Sequence, residues 1–268
     1  MHAISSQTPV KAGNKTAPDR WLLVPQRKPA ASMRLFCFPF AGGNGSIFMP
    51  WANRLPIDVE LNAVQLPGRG ARIGEIPLDN IPQMARACAD ALAPCLDRPF
   101  VFFGHSMGAM LAYELTRELR RRNLPLPQQL MVSACRAPHC APGREAIHHL
   151  PKAQFLSALA DLKGTPEAAL ANPELMDLLE PVLRADFTAA ETWHYKPEAQ
   201  LPISIAAFGG DQDHWVTAAA MAAWRDHTSA GFWHQNFAGD HFYILQQTAA
   251  LVQQITQLLC IVPRRVAV

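Results

Sequence analysis

Residues 102–109 read FFGHSMGA. An apolar run ends here, a histidine and a serine follow between two glycines, and a helix-forming run begins. Its centre, Gly104-His105-Ser106-Met107-Gly108, is a G-x-S-x-G pentapeptide. The setting, after a buried strand and before a helix, raises the match above chance. A corner this sharp crowds the backbone, which explains glycine on either side. It lifts the Ser106 hydroxyl above the sheet, where the first N–H groups of the helix converge and the helix dipole favours an anion. The stretch predicts a nucleophile and the strand–turn–helix scaffold that carries it.

Working outward, the chain repeats the same alternation. Apolar, β-rich runs occur at 34–40, 59–68, 100–104, 129–134, 202–210 and 232–239, and WLLV (21–24) adds an edge strand. Helical patterns cover 81–96, 107–123, 215–228 and 242–259. The strands are apolar at nearly every position, which suits a parallel sheet covered on both faces. Strands alternating with helices predict a doubly wound α/β domain over residues 21–260. Between about 139 and 200 there is no good strand. PKAQFLSALADL (151–162) and PELMDLLEPVLRADFTAAETW (173–193) read as helices separated by Gly164, Pro166 and Pro173. A helical insertion of this size at the carboxyl edge of a sheet is expected to form a lid. Residues 1–20 and 261–268 are expected to be flexible tails.

Composition narrows the function classes. The chain has 268 residues, 49% apolar and 17% charged, with a formal net charge of +2. That supports a large core and gives no general attraction to nucleic acid or membrane. No apolar run reaches the length of a membrane span, and the first residues lack the apolar segment of a secretory signal. The sequons at Asn14 and Asn44 are therefore read as chance. Six cysteines without a CxxC pair are read as reduced thiols in a cytoplasmic protein. CRAPHC (135–140) fits no common zinc spacing, so no metal is expected.

A serine hydroxyl needs a base to act near neutral pH, and the base needs an orienting carboxylate. On a strand–elbow–helix scaffold these follow the serine in the order acid, then histidine. PISIAAFGGDQDHWV offers Asp211 and Asp213 after a late strand. Asp213 is preferred, because the turn needs a residue or two before an acid can bend back under the histidine. Asp211 is assigned to capping the turn. FWHQNFAGDHFYIL offers His241 as base. His214 is an alternative, while His227 and His234 are read as ordinary packed or solvated side chains, and Asp240 as a turn residue. An oxyanion hole takes two donors. One is the backbone N–H of Met107. The other is the N–H of Phe40 or Ala41 in FCFPFAGGNGS (36–46), a loop that lacks the Lys-Ser/Thr of a P-loop.

Five segments in this order, FCFPFAGG, QLPGRGAR, GHSMGA, LRADF and GGDQDHWV…GDHFYIL, resemble the type II thioesterases that accompany nonribosomal peptide and polyketide synthetases. The resemblance runs from about Trp21 to Leu259. It implies an α/β-hydrolase fold with a mobile helical lid. It also implies hydrolysis of acyl or aminoacyl groups from the phosphopantetheine thiol of carrier proteins, an editing activity that clears misprimed or stalled synthetases. The family triad falls on Ser106, Asp213 and His241, as in the independent reading. The implied enzyme is a cytoplasmic monomer with no cofactor of its own and a carrier protein as partner. A general carboxylesterase, or a thioesterase that releases product, would share the triad. Arg69 and Arg72 are expected to pair with surface carboxylates or to meet a carrier protein. RELRRR (117–122) is expected to be a solvated helix end, and Arg184 and Asp186 to brace the lid.

Overall fold

The computed structural model describes residues 20–262. The expected tails lie outside the described residues except at their inner ends. There Ile261 closes the last helix and Val262 is buried, so the folded part runs past the expected boundary at 260.

Seven strands form one sheet in the order β1-β3-β2-β4-β5-β6-β7. They are β1 (Leu22–Leu23), β2 (Met33–Phe38), β3 (Val59–Val64), β4 (Phe100–His105), β5 (Gln129–Ser133), β6 (Ser204–Gly210) and β7 (Phe232–Phe237). All neighbours pair in parallel except β1, which runs antiparallel along β3 at the edge. With its helices this is the α/β-hydrolase fold. The strands end sooner than their apolar runs suggest. After Val64 the segment Gln65–Gly68 leaves the sheet, because Pro67 has no N–H to donate and Gly68 turns at φ +82°.

Alternation along β4 explains why it sits in the middle. Phe100 and Phe102 join one core layer, while Val101 and Phe103 join the other. The first layer is covered by α1 (Ile81–Leu92) and α2 (Met107–Arg121). The second is covered by a 3-10 helix, Gly45–Trp51, and by α8 (Thr248–Ile261). A strand with large side chains on both faces can only be interior.

The insertion between β5 and β6 holds α3 (Lys152–Asp161), α4 (Glu167–Leu170) and α5 (Pro173–Glu191). The sequence reading has two helices here. The short α4 is the third, started by Pro166 in a stretch read only as a breaker. Asn172 caps α5 through its side-chain oxygen, and Pro173 occupies the first turn, where no N–H is missed. After β6 the expected single helix is only α6 (Ala218–Ala222), followed by a 3-10 turn through His227. The last expected helix is split by Gln247 into α7 (Tyr243–Gln246) and α8. No helix among the described residues is long and apolar enough to cross a membrane.

Phe103 packs edge-to-face on Phe48 and Trp51 and contacts Phe208, fully enclosed. Phe103→Ala is expected to cost about 3–5 kcal/mol in urea unfolding. A loss below about 1 kcal/mol would show that this ring does not anchor the layer.

Candidate active site

The site forms where the strand order reverses. From β2 the chain goes to β3 on one side and then crosses to β4 on the other. The loops after β2 and β4 therefore leave the carboxyl edge side by side, the crevice position for ligands in open α/β sheets. Phe38 pairs with Gly104 in register, so both loops start at the same height.

Ser106 has φ 54° and ψ −118°, a conformation that L side chains rarely adopt. Its N–H donates to Ser133 O at 2.8 Å, which pins the corner to β5. A Cβ on Gly108 would lie 2.1 Å from the Phe38 carbonyl oxygen, and one on Gly104 would lie 2.2 Å from Gly108 O. Both glycines are required by close approach: the start of α2 rests directly on the end of β2.

His241 Nε2 lies 3.0 Å from Ser106 Oγ, and His241 Nδ1 lies 2.7 Å from Asp213 Oδ2. A carboxylate oxygen can only accept, so Nδ1 carries the proton and Nε2 is left bare toward the serine. The other Asp213 oxygen accepts N–H bonds from Trp215 and Val216 at 2.9 and 3.1 Å. That holds the carboxylate in place. Asp211 takes the expected lesser part: its carboxylate accepts Gly239 N–H at 3.0 Å, and its own N–H donates to Phe237 O. These bonds, with a backbone bond from Gln212 N–H to Gly239 O, tie the loop after β6 to the loop after β7, and the two backbone bonds do not depend on the Asp211 carboxylate. Asp240 caps its own turn by accepting Phe242 N–H. His234 lies on β7 beside Asn236, and His227 is buried between Tyr113 and His139. Neither approaches the serine.

The reading from sequence treats His105 only as a motif letter. It is fully buried, with Nε2 3.0 Å from the His241 carbonyl oxygen and Nδ1 2.8 Å from Ser133 Oγ. Burial, aided by the neighbouring His241, pushes it well below the usual imidazole range, so it is neutral. A carbonyl only accepts, so Nε2–H donates to His241 O and Nδ1 accepts from Ser133. Ser133 Oγ in turn accepts from Tyr243 OH. This chain holds the backbone of His241. Its one sequence signal is a histidine inside an otherwise apolar strand end.

Met107 N–H starts α2 beside the serine and makes no hydrogen bond among the described residues. The same holds for Phe40 N–H and Ala41 N–H, in the loop after β2. Both residues line the cavity above Ser106, so the sequence alternative stays open between them. The cavity measures about 170 Å³. Its floor includes Met107 and His241, and its roof is formed by Leu159, Leu183 and Phe187 of the insertion. The walls are chiefly apolar, the usual character of a site for small molecules.

Two expectations about arginines are corrected. Arg69 and Arg72 do pair with carboxylates, but at 3% and 6% exposure they do so from buried positions rather than at the surface. Arg69 binds Asp186 of α5, while Arg72 binds Glu75 and stacks over Trp21. In RELRRR, Arg117 is buried against Glu114 and Glu198, and Arg120–Arg122 engage Glu198, Glu118 and Asp90. That helix end is a neutralised network rather than a free cationic face. Arg184 donates to His148 O and Leu150 O and so braces the insertion. The cysteines are all free thiols, and Cys135, in the cavity wall, is pushed up to about 12 by burial, which leaves it inert. No cluster of metal-binding side chains occurs among the described residues.

The Thioesterase domain family matches residues 33–259. The chain belongs to that family. This thioesterase is 43% identical to the Brevibacillus parabrevis protein named linear gramicidin dehydrogenase LgrE, over 90% of this chain and 94% of that one. It is 37% identical to the gramicidin S biosynthesis protein GrsT of Aneurinibacillus migulanus, over 88% and 92%. Among solved structures it superposes on the type II thioesterase BorB of the borrelidin biosynthetic cluster with a TM-score of 0.82 and 35% identity, covering 90% of this chain and 98% of BorB.

Asp213→Ala is expected to lower turnover by about 10⁴-fold, because the imidazole loses its tautomer lock. Asp211→Ala should leave most of the rate; the reverse pattern in steady-state kinetics would overturn the acid assignment.

A second expectation concerns pH. Burial first, then His139, pushes His227 down to about 4, and His105 is also held low. The unfolded chain takes up these protons near pH ~6.5. Below that pH the unfolded state binds more protons, so stability is full above it and falls as pH drops toward about 4. Urea midpoints across this window should decline. His227→Gln should flatten the decline, and an unchanged slope would exclude this residue as a source.

Proposed function

We propose that this thioesterase hydrolyses acyl and aminoacyl groups from the phosphopantetheine arm of carrier proteins, an editing activity that restores misprimed or stalled nonribosomal peptide or polyketide synthetases. The observation that carries the reading is the Ser106–His241–Asp213 hydrogen-bonded series opening onto an apolar cavity. In the proposed reaction His241 Nε2 takes the Ser106 proton and Oγ attacks the thioester carbonyl. The N–H groups of Met107 and of Phe40 or Ala41 receive the oxyanion. The thiol leaves with the proton from His241, giving an acyl-serine. Water, deprotonated by His241, then releases the acid. Asp213 keeps the imidazole oriented and stabilises its cation.

The helical insertion serves as the lid that encloses the acyl group and excludes bulk water. Loop-bound N–H donors, an imidazole and a serine suffice for this chemistry, so the proposed enzyme needs no cofactor; the pantetheine arrives with the substrate. A cytoplasmic setting, monomeric state and carrier-protein partner complete the proposal. The relatives support it: one is a gramicidin S biosynthesis protein and another a type II thioesterase.

The test is mass spectrometry of an acetyl-loaded carrier protein incubated with wild type and with Ser106→Ala. Matched acetyl-pantetheine thioester and nitrophenyl acetate run alongside. The proposal expects wild type to free the carrier thiol fastest and the variant to be slower by several orders of magnitude. An untouched carrier beside a cleaved nitrophenyl ester would refute the editing role in favour of a general esterase.

A further inference from the structure

We propose that Asp186, on the insertion helix α5, is a positioning residue for the oxyanion hole, and that Arg69 keeps it electrically silent. This rests on the assignment of Ser106 as nucleophile made above.

The loop after β2 makes few backbone bonds of its own. Gly43 N–H donates to Phe40 O at 2.9 Å, which closes a turn over residues 40–43. The next fixed point comes from far along the chain: Gly42 N–H donates to Asp186 Oδ2 at 2.7 Å. Arg69 Nη1 adds a third by donating to Gly43 O at 3.2 Å. The N–H groups of Phe40 and Ala41, in the same turn, stay free toward the cavity. The direction of these donors is therefore set by bonds on the far side of the turn, and the Asp186 bond is the shortest of the three. Packing agrees. Gly42 turns at φ +75°, and the place of a Cβ on it is filled by Leu183 Cδ2 at 2.3 Å, from the same helix as Asp186.

A carboxylate next to an oxyanion hole has a cost: its negative charge opposes the charge that develops on the substrate. Arg69 removes this cost. Its guanidinium meets Asp186 through two parallel bonds of 2.6 and 2.7 Å, with Asp186 0% and Arg69 3% exposed. Asp186 can then act as an acceptor for Gly42 N–H without a net charge beside the hole. A buried ion pair is seldom needed for stability, since apolar replacements of like volume are often as stable. The additional contact of this pair is with the turn that carries the donors, which gives the pair its place in the proposed catalysis.

The difference can be measured. The double variant R69M/D186L replaces the pair with apolar side chains and leaves Gly42 N–H without its acceptor. Ser106 labelling by a fluorophosphonate reports the hole directly, because the phosphonyl oxygen occupies it. The proposal expects a cooperatively folded protein with a modestly lowered unfolding midpoint, since Gly42 N–H and Gly43 O lose their partners. It expects labelling and the kcat on acetyl-pantetheine to fall by at least about 10-fold, with KM little changed. D186N keeps an acceptor for Gly42 N–H and should recover part of the rate. A double variant that folds and labels at the wild-type rate overturns the assignment. If the double variant does not fold, D186N and D186A decide: D186N labelling at least about 10-fold faster than D186A supports it, and equal labelling by the two overturns it. Labelling needs no thioester, so failure of wild type to hydrolyse acyl-pantetheine would count against the proposed function, while the labelling comparison would still decide this point.

Discussion

The backbone at Ser106 is the constraint on which the rest depends. A non-glycine residue held at φ 54° costs about 1–3 kcal/mol and persists only if its surroundings over-determine it. Here they do. Its N–H is held by β5, and the glycines on either side admit the Phe38 carbonyl and the first turn of α2. The strain is met by the interior packing of β4, whose phenylalanines fill both core layers. The same corner then sets everything above it: the height of the hydroxyl, the exposure of Met107 N–H and the point that His241 must reach.

Much of this was legible in the sequence. G-x-S-x-G between an apolar run and a helical run named the elbow, and apolar strands alternating with helices named the layers. The acid and the base were legible because chain order limits them to two late loops, and because Asp211 and Asp213 differ in how far they stand from the strand. What stayed hidden depends on contacts distant in sequence. Asp186 and Arg69 lie 117 residues apart; the sequence assigns Asp186 to bracing the lid and Arg69 to a surface carboxylate or a carrier protein, and nothing in it pairs the two. The basic cluster around Arg117 suggests a solvated helix end, yet Glu198 arrives from another segment to meet it. His105 looked like filler in a motif until Ser133, Tyr243 and the His241 carbonyl were placed around it. Element ends were misread where proline or a split helix cut short an apolar pattern, as at Pro67 and Gln247.

Positioning in this protein is layered. Asp213 sets the imidazole, and its own carboxylate is set by two backbone N–H groups. His105 holds the carbonyl of the same histidine from below. The Asp213 carboxylate and the His241 carbonyl can only accept, so they place protons on His241 Nδ1 and His105 Nε2, and with His105 neutral the Ser133 and Tyr243 hydroxyls follow in turn. Neutral His105 matters for this reason: a second proton on its ring would turn Nδ1 from acceptor to donor, take away the acceptor of the Ser133 hydroxyl hydrogen and place a positive charge beside the base.

The insertion has a small core of its own, built from Ile147, Phe155, Leu159, Met176, Leu183 and Phe187 and separate from the two layers on the sheet. Ala41 of the loop after β2 is packed against it and also against one of the sheet layers. The fold is thus modular in an evolutionary sense. Side chains in the satellite core can change size and so reshape the chamber above Ser106, while the strands that hold the elbow remain as they are. New substrate ranges become accessible through a few roof positions, without a search through the scaffold.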